Sequence, residues 1–242
     1  MKLKVLVASL SAAALIGCEA RQMSLTSPDL GSLGVPDQPI SERDIVDAFD
    51  KRPPVRPNTN IGVVYVPPTQ SGAMETPQAI TAEDRKAWET TLRDNYFIKD
   101  VIFLSTLFSP SMNVRDVRLL RKNAATLNCD LLLVYGVSCD YSRQANPLAL
   151  LYLTIIGAFI VPGDSVTTGC MAKAALMDVR SGYVYGVVEG AATRTMALPV
   201  GWIGGSLPRM YEVTAADAVR KARENIRPLL TRLRDEAAKV VD

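Results

Sequence analysis

TTGCMAKAALMDVRSGYVYGVVEGAATRT, residues 167–195, divides at Ser181-Gly182. Small apolar, β-branched and aromatic residues fill both limbs, and Ser-Gly is a turn dipeptide. Two strands of about ten residues therefore meet in an antiparallel hairpin. Just upstream, DLLLVYGVSCDYS (130–142) is a continuous apolar run of the kind a central strand carries. Between the two lies PLALLYLTIIGAFIVPG (147–163), uncharged throughout, with only Tyr152 and Thr154 bearing polar side-chain atoms.

Further toward the N-terminus the pattern alternates between strand and helix. Ile61–Val66 is a β-branched run stopped by Pro67-Pro68, and IKDVIFLS (98–105) reads as a second strand. Thr81 with Asp84 three residues on opens a helix through Trp88, Leu92 and Tyr96. Asn113 and Asp116 offer caps for a second helix, with Met112 and Val117 placed as a staple. Its apolar face is Val114, Val117, Leu120, Ala124 and Leu127. A last helix is expected from Thr214, with Asp217 at its third position, through Val219, Ala222, Ile226, Leu230, Leu233 and Ala237, kinked near Pro228. The order β-α-β-α-β-β-β-α predicts an α/β sandwich of two or three layers on one mixed sheet. Its first strands are parallel through helical crossovers, and the hairpin is antiparallel.

The N-terminus reads differently. Lys2 and Lys4 precede an apolar run, Val5 to Ile16, too short for a comfortable membrane span. The run ends Leu15-Ile16-Gly17-Cys18, which resembles the bacterial lipobox. The resemblance implies cleavage before Cys18 and lipidation of its thiol, several acyl chains holding what one holds only marginally. Glu19 follows, where Asp resembles an inner-membrane retention signal, so an outer-membrane anchor facing the periplasm is expected. The expected division is a signal peptide at 1–17, a lipidated Pro-rich tether at 18–59 and an α/β periplasmic domain at 60–242. Within the tether, Ser41 and Asp44 cap a short helix over ISERDIVDAFD, stapled by Ile40 and Ile45. Its Asp44, Asp47 and Asp50 form a solvated face, for the Gly turn of a calcium loop is absent.

Composition removes whole classes of function. Without Lys2 and Lys4 the 27 basic residues fall to 25, equal to the 25 acidic ones. No basic block stands out, which argues against nucleic acid. The chain has no histidine, which removes Ser-His-Asp and Cys-His catalysis and His-ligated zinc. Walker, G-x-S-x-G, S-x-x-K and strand-linked G-x-G-x-x-G motifs are absent. Neither an enzyme, a cofactor nor a metal site is expected.

The remaining cysteines, Cys129, Cys139 and Cys170, admit two readings. Three reduced, buried thiols is the plainer one. The rival is a Cys139–Cys170 disulfide with Cys129 left over, in an oxidising compartment. An antiparallel pairing that sets Cys139 opposite Cys170 also sets Tyr135 opposite Ala174 and Leu131 opposite Asp178.

As a helix, the fourteen residues between Pro147 and Pro162 reach about 21 Å, short of the ~30 Å hydrocarbon core. As two strand limbs they fall below the length that spans, so the segment does not cross a bilayer. It is either buried in the domain's own core or exposed as a contact, dipping into the near leaflet or meeting a protein through Leu150, Leu151, Ile155 and Phe159. GWIGGS (201–206) reads as a mobile glycine-rich loop whose Trp202 and Ile203, if exposed, suit a partner contact.

The lipobox, NIGVVYVP, NCDLLLVYG and AALMDVRSGYVYG together resemble the periplasmic lipoprotein domain of curli-secretion (CsgG-type) subunits, the TolB N-terminal domain and LpoB. TIIGAFIVPG followed by ALMDVRSGYVYGVVEG is similar to the rhombotarget lipoproteins, over about residues 60 to 195. This resemblance implies an envelope lipoprotein and no catalytic residues. The chain ends RDEAAKVVD, without the Gly-Gly tail or apolar helix expected of a rhomboid-type protease substrate, so that status is not carried over. The expected function is a non-enzymatic binding or assembly factor for an envelope protein in envelope maintenance or surface-protein export. The alternative is a self-assembling, CsgG-like channel subunit, a homo-oligomer with residues 147–163 at the membrane or between subunits.

Overall fold

The computed structural model describes residues 53–67, 81–104, 116–146 and 161–239, with Met23, Arg43 and Asp47 besides. The elements run β1 (Thr59–Val66), α1 (Ala82–Arg93), β2 (Ile98–Phe103), α2 (Val117–Thr126), β3 (Leu131–Ala145), β4 (Asp164–Asp178), β5 (Val184–Leu198) and α3 (Ile203–Ala238). A 3-10 turn, Val200–Trp202, leads into α3. The strands make one open sheet in the order β2-β1-β3-β4-β5. β1 runs parallel to β2 and β3, whereas β3, β4 and β5 are antiparallel. The fold is α/β with a mixed sheet.

Helix starts follow the capping chemistry. The Thr81 side chain accepts the Asp84 N–H at 3.0 Å and its hydroxyl donates to the Asp84 carboxylate, also at 3.0 Å. Asp116 caps α2 by accepting from the N–H groups of Arg118 and Leu119. The other expected cap and staple, Asn113 and Met112, and the expected face residue Val114 lie outside the described residues. So does most of the helix expected over ISERDIVDAFD; Arg43 and Asp47 are helical and exposed.

Two apolar cores lie on opposite faces of the sheet. On one, Trp88 and Leu92 of α1 and Leu207, Met210 and Tyr211 of α3 pack with Leu133, Ala174 and Leu176. On the other, Val117, Leu120 and Ala124 of α2 pack with Val64, Leu132, Val134 and Met177. The sandwich has three layers where α2 covers it, and no β5 residue belongs to that second core. Val55 is 3% exposed and packs with the first core, so the chain is already seated on the domain ahead of β1.

Four expectations need correction. The helix opened by Thr81 stops at Arg93, leaving Tyr96 66% exposed while Phe97 takes the core position. Leu127 is the C-cap residue of α2 and is 37% exposed; Asn128, at φ 54°, turns the chain and Cys129 is buried instead. The hairpin strands are fifteen residues each, the β4–β5 ladder running from Met177–Val184 to Asp164–Leu198. The fourth concerns residues 201–206, which are not a mobile loop.

α3 opens at Ile203, eleven residues ahead of Thr214. Ile203, Leu207, Met210, Tyr211 and Thr214 are all buried and recur at the helical period. Each glycine costs about 1 kcal/mol in a helix, whereas burying a side chain such as Ile203 or Leu207 returns about 1.5–3 kcal/mol. Burial wins. Thr214 is no cap: its hydroxyl donates to the Met210 carbonyl at 2.7 Å, one turn back, and meets Thr168 Oγ1 at 3.1 Å. The helix also runs through Pro208 and Pro228. Pro228 sits on an exposed position, where the carbonyl of Glu224 that it leaves unpaired can be hydrated.

Candidate functional site

β3 and β4 pair without interruption from Leu131–Asp178 to Ala145–Asp164, and residues 147–160 are the connection at the far end of that ladder. The register sets Tyr135 opposite Ala174 and Cys139 opposite Cys170. Cys139 and Cys170 are joined by a disulfide, S–S 2.08 Å with Cα atoms 4.1 Å apart. That separation belongs to the closer class of antiparallel pair, which brings the two Cβ atoms within bridging reach. Three reduced thiols is thus not the arrangement found; among the described residues Cys129 alone is free, and it is buried. Burial, reinforced by the negative charge of Asp130, pushes its thiol up to about 11.

Beyond the disulfide the stem is clamped twice more. Arg143 donates Nε and an Nη to the two carboxylate oxygens of Asp164 at 3.0 and 2.9 Å. Asp164 is 1% exposed, so its charge is held out of water and paired in the bidentate geometry that suits guanidinium. Asn146 then closes the ladder: its N–H donates to the Gly163 carbonyl and its Nδ2 to the Pro162 carbonyl, both at 2.8 Å. Residues 147–160 therefore leave a fixed base.

The neighbouring strand brings a second apolar group to this end. Leu198 of β5 pairs with Asp164, and Pro199 carries the chain into the turn that ends in Trp202. Trp202 is 60% exposed. Met196, opposite Val166 on β4, is 43% exposed. The structure thus gathers Trp202 and both ends of the apolar connection at one end of the sheet. Leu150, Leu151, Ile155 and Phe159 themselves lie outside the described residues, as does Cys18.

Residues 53–58 enter β1 at the other end. β1 is parallel to β3, so Thr59 and the β4–β5 turn stand together, and the Tyr185 hydroxyl reaches the Pro53 carbonyl at 3.5 Å. The length of β3 separates the two ends by roughly 45 Å at ~3.3 Å per residue. Asp178 braces the β4–β5 turn, accepting from the N–H and hydroxyl of Ser181, and Gly182 adopts φ 75° there.

Sequence reasoning missed Arg143–Asp164. The signal was present once the register is known: Arg143 faces Val166, and Asp164 is the diagonal neighbour two residues away on the same face. Among the described residues no helix is long and apolar enough to cross a membrane, and no group of His, Cys, Asp or Glu is arranged to hold a metal.

No family model matches this chain, and no curated protein does. Solved structures similar to it include the PelC dodecamer from Paraburkholderia phytofirmans, 18% identical over 74% of this chain and 91% of that one, TM-score 0.35. The hypothetical protein CT253 from Chlamydia trachomatis is 10% identical over 75% of this chain and 99% of its own, TM-score 0.34. Lipoprotein GNA1162 from Neisseria meningitidis is 14% identical over 65% and 99%, TM-score 0.30. Likenesses this weak carry no functional conclusion.

Proposed function

We propose that this chain is a lipid-anchored, non-enzymatic binding or assembly factor of the bacterial envelope, held by Cys18 in the outer membrane and facing the periplasm. Its contact surface is the end of the sheet that bears residues 147–160 and Trp202. The observation that carries this reading is the clamped stem: a disulfide, a bidentate ion pair and the Asn146 closure all brace one apolar connection beside an exposed Trp202. A disulfide also suits an exported protein, since reducing compartments keep thiols open. The absence of histidine and of nucleophile motifs supports a role without catalysis.

The test pairs Leu150→Asp with Ile155→Asp in the full chain. A buried charge costs several kcal/mol, a large part of a domain's ~5–15 kcal/mol. On the proposed reading the melting curve is unchanged while partner or membrane association falls; a collapsed melting curve returns the segment to the domain's own core. Cys18→Ser should abolish lipid labelling, and labelling that persists rejects the anchor.

The second reading is self-assembly into a channel-like oligomer. It is favoured by β5, an edge strand of fifteen residues whose stretch from Thr193 to Ala197 is exposed and open to pairing with another copy. Crosslinks from a photoreactive residue at position 202 separate the two: to a different envelope protein on the first reading, to the same chain on the second.

A further inference from the structure

β5 is an edge strand, and α3 covers only part of its open side. In an antiparallel ladder, opposed residues alternate between pairs that exchange both backbone bonds and closer pairs that exchange none. Cys139 and Cys170, with Cα atoms 4.1 Å apart, are of the closer kind, so the backbone groups of Cys170 point the other way, to Ala192 of β5. Alternation along β5 from Ala192 then turns the N–H and C=O groups of Glu189, Ala191, Thr193, Thr195 and Ala197 outward. Two hydrogen bonds agree with that parity: Lys221 donates to the Ala191 carbonyl at 2.7 Å and Asn225 to the Glu189 carbonyl at 2.6 Å. Beyond Ala191 the covering stops. Among the described residues nothing takes the outward backbone groups of Thr193, Thr195 and Ala197, and residues 193–197 are all exposed. α3 is set back at this end: Thr214 meets Thr168 of β4, whereas Ala218 and Ala222 lie against Gly190 of β5.

A second copy of the same edge fits these free groups in one register. Two antiparallel copies related by a two-fold axis oppose residues of equal parity, so the axis passes through a residue. An axis at Thr195 sets Thr195 opposite Thr195, Thr193 opposite Ala197 and Arg194 opposite Met196. Every free edge group is then paired, by about six backbone hydrogen bonds. The ladder ends where the groups are already used: the next pair would be Ala191 with Pro199, whose carbonyls accept from Lys221 and from the Trp202 N–H. Pro199 also has no N–H to give. Other axes fit worse. One at Thr193 calls on Glu189 and Ala191, whose carbonyls α3 holds. One at Met196 or Ala197 calls on Pro199, and one at Arg194 sets two guanidinium groups directly opposite. At Thr195, Arg194 instead meets Met196, 43% exposed, and keeps its ion pair with Asp217 at 3.4 Å.

We infer that this chain forms a two-fold dimer through β5, the two edges pairing antiparallel about Thr195 into one sheet continuous through both copies. Opposed residues share a face, so the two α3 helices lie on the same side of that sheet. Such a dimer rests on the self-pairing edge of the second functional reading, but not on its channel. A two-fold contact closes on itself, whereas a ring needs a head-to-tail contact. A ring-sized species would therefore overturn the dimer and leave self-assembly standing, and neither outcome touches the lipid anchor or the apolar contact.

The test uses the full mature protein in detergent micelles. Sedimentation with the detergent density-matched should give twice the protein mass of one chain. For the register, Arg194→Cys and Met196→Cys are made in separate chains and oxidised alone and after mixing. Directly opposed positions lie within disulfide reach, whereas two copies of the same position are diagonal neighbours about 7–8 Å apart. A disulfide-linked dimer is therefore expected from the mixture and not from either variant alone. Thr193→Lys with Ala197→Lys opposes like charges and should return the protein to one chain, whereas Thr193→Lys with Ala197→Glu opposes unlike charges and should keep the dimer. Both positions are exposed, so the melting curve should not move; if it does, the cysteine variants decide. A single-chain mass at every concentration leaves the edge to another protein's strand and overturns the inference. So does a ring-sized species, crosslinking by either cysteine variant alone as readily as by the mixture, or a mass that the paired lysines leave unchanged.

Discussion

Gly190 of β5 lies against the backbone of Ala222 in α3: a Cβ on the glycine would stand 2.4 Å from the Ala222 nitrogen and 2.4 Å from the carbonyl oxygen of Ala218. Both alanines are buried, and the helix rests directly on the strand. This close approach lets Lys221 donate to the Ala191 carbonyl at 2.7 Å and Asn225 to the Glu189 carbonyl at 2.6 Å. Those carbonyls belong to an edge strand, so α3 covers part of the edge with its own side chains. Gly190→Ala should force the helix off and lower stability by about 1–3 kcal/mol, read by denaturant unfolding. Neutral behaviour would mean the contact is looser than described.

Gly204 and Gly205 should behave oppositely. Both are helical, and a Cβ at either meets nothing within 4 Å. Alanine at each should raise stability by about 0.5–1 kcal/mol, mainly by restricting the unfolded chain. If thermal melts of the two variants fall instead, α3 does not begin at Ile203.

Arg143 and Asp164 form a pair in which only the carboxylate is fully buried, the arginine side chain being 41% exposed. Arg143→Ala strands the Asp164 charge and should cost about 1–3 kcal/mol, discounted from the fully buried case because water reaches the guanidinium side. Adding Asp164→Leu should recover part of that loss. A double-mutant cycle without coupling would reject the clamp.

The cysteines give a redox and a pH prediction together. Peptide mapping of the non-reduced protein should find Cys139 linked to Cys170, and removing the bond should cost roughly 3–4 kcal/mol on the chain-entropy model for a loop of about thirty residues. Cys129, with its thiol pushed from 9.0 up to about 11, should resist alkylation in the folded protein. Its folded value is the higher one, so whatever stability it contributes is complete below pH 9 and is lost as the pH rises toward 11. Rapid labelling of Cys129 near neutral pH would show that it is not buried as described.

Much of this architecture is local and therefore readable from the chain. The hydroxyl of Thr81 and the carboxylate of Asp84 are three residues apart, and that spacing alone places a helix start. The runs at Ile61–Val66 and 130–142 declare strands by composition, and an antiparallel pairing written from Cys139 and Cys170 carries its register along both strands because the side-chain period is two. The start of α3 was not legible: glycines at 204 and 205 speak for a loop, and only the core beneath Ile203 and Leu207 outweighs them. Nor could the sequence place Trp202 beside the apolar connection, since that depends on Leu198 pairing with Asp164 across the sheet. The cleft between α1 and α3 belongs to the same class. Tyr65, Tyr135, Glu83 and Glu212 come from four separate elements, and no local pattern links them. Capping and periodicity act over a few residues, whereas a cleft or a gathered surface exists only once the sheet has set distant segments side by side.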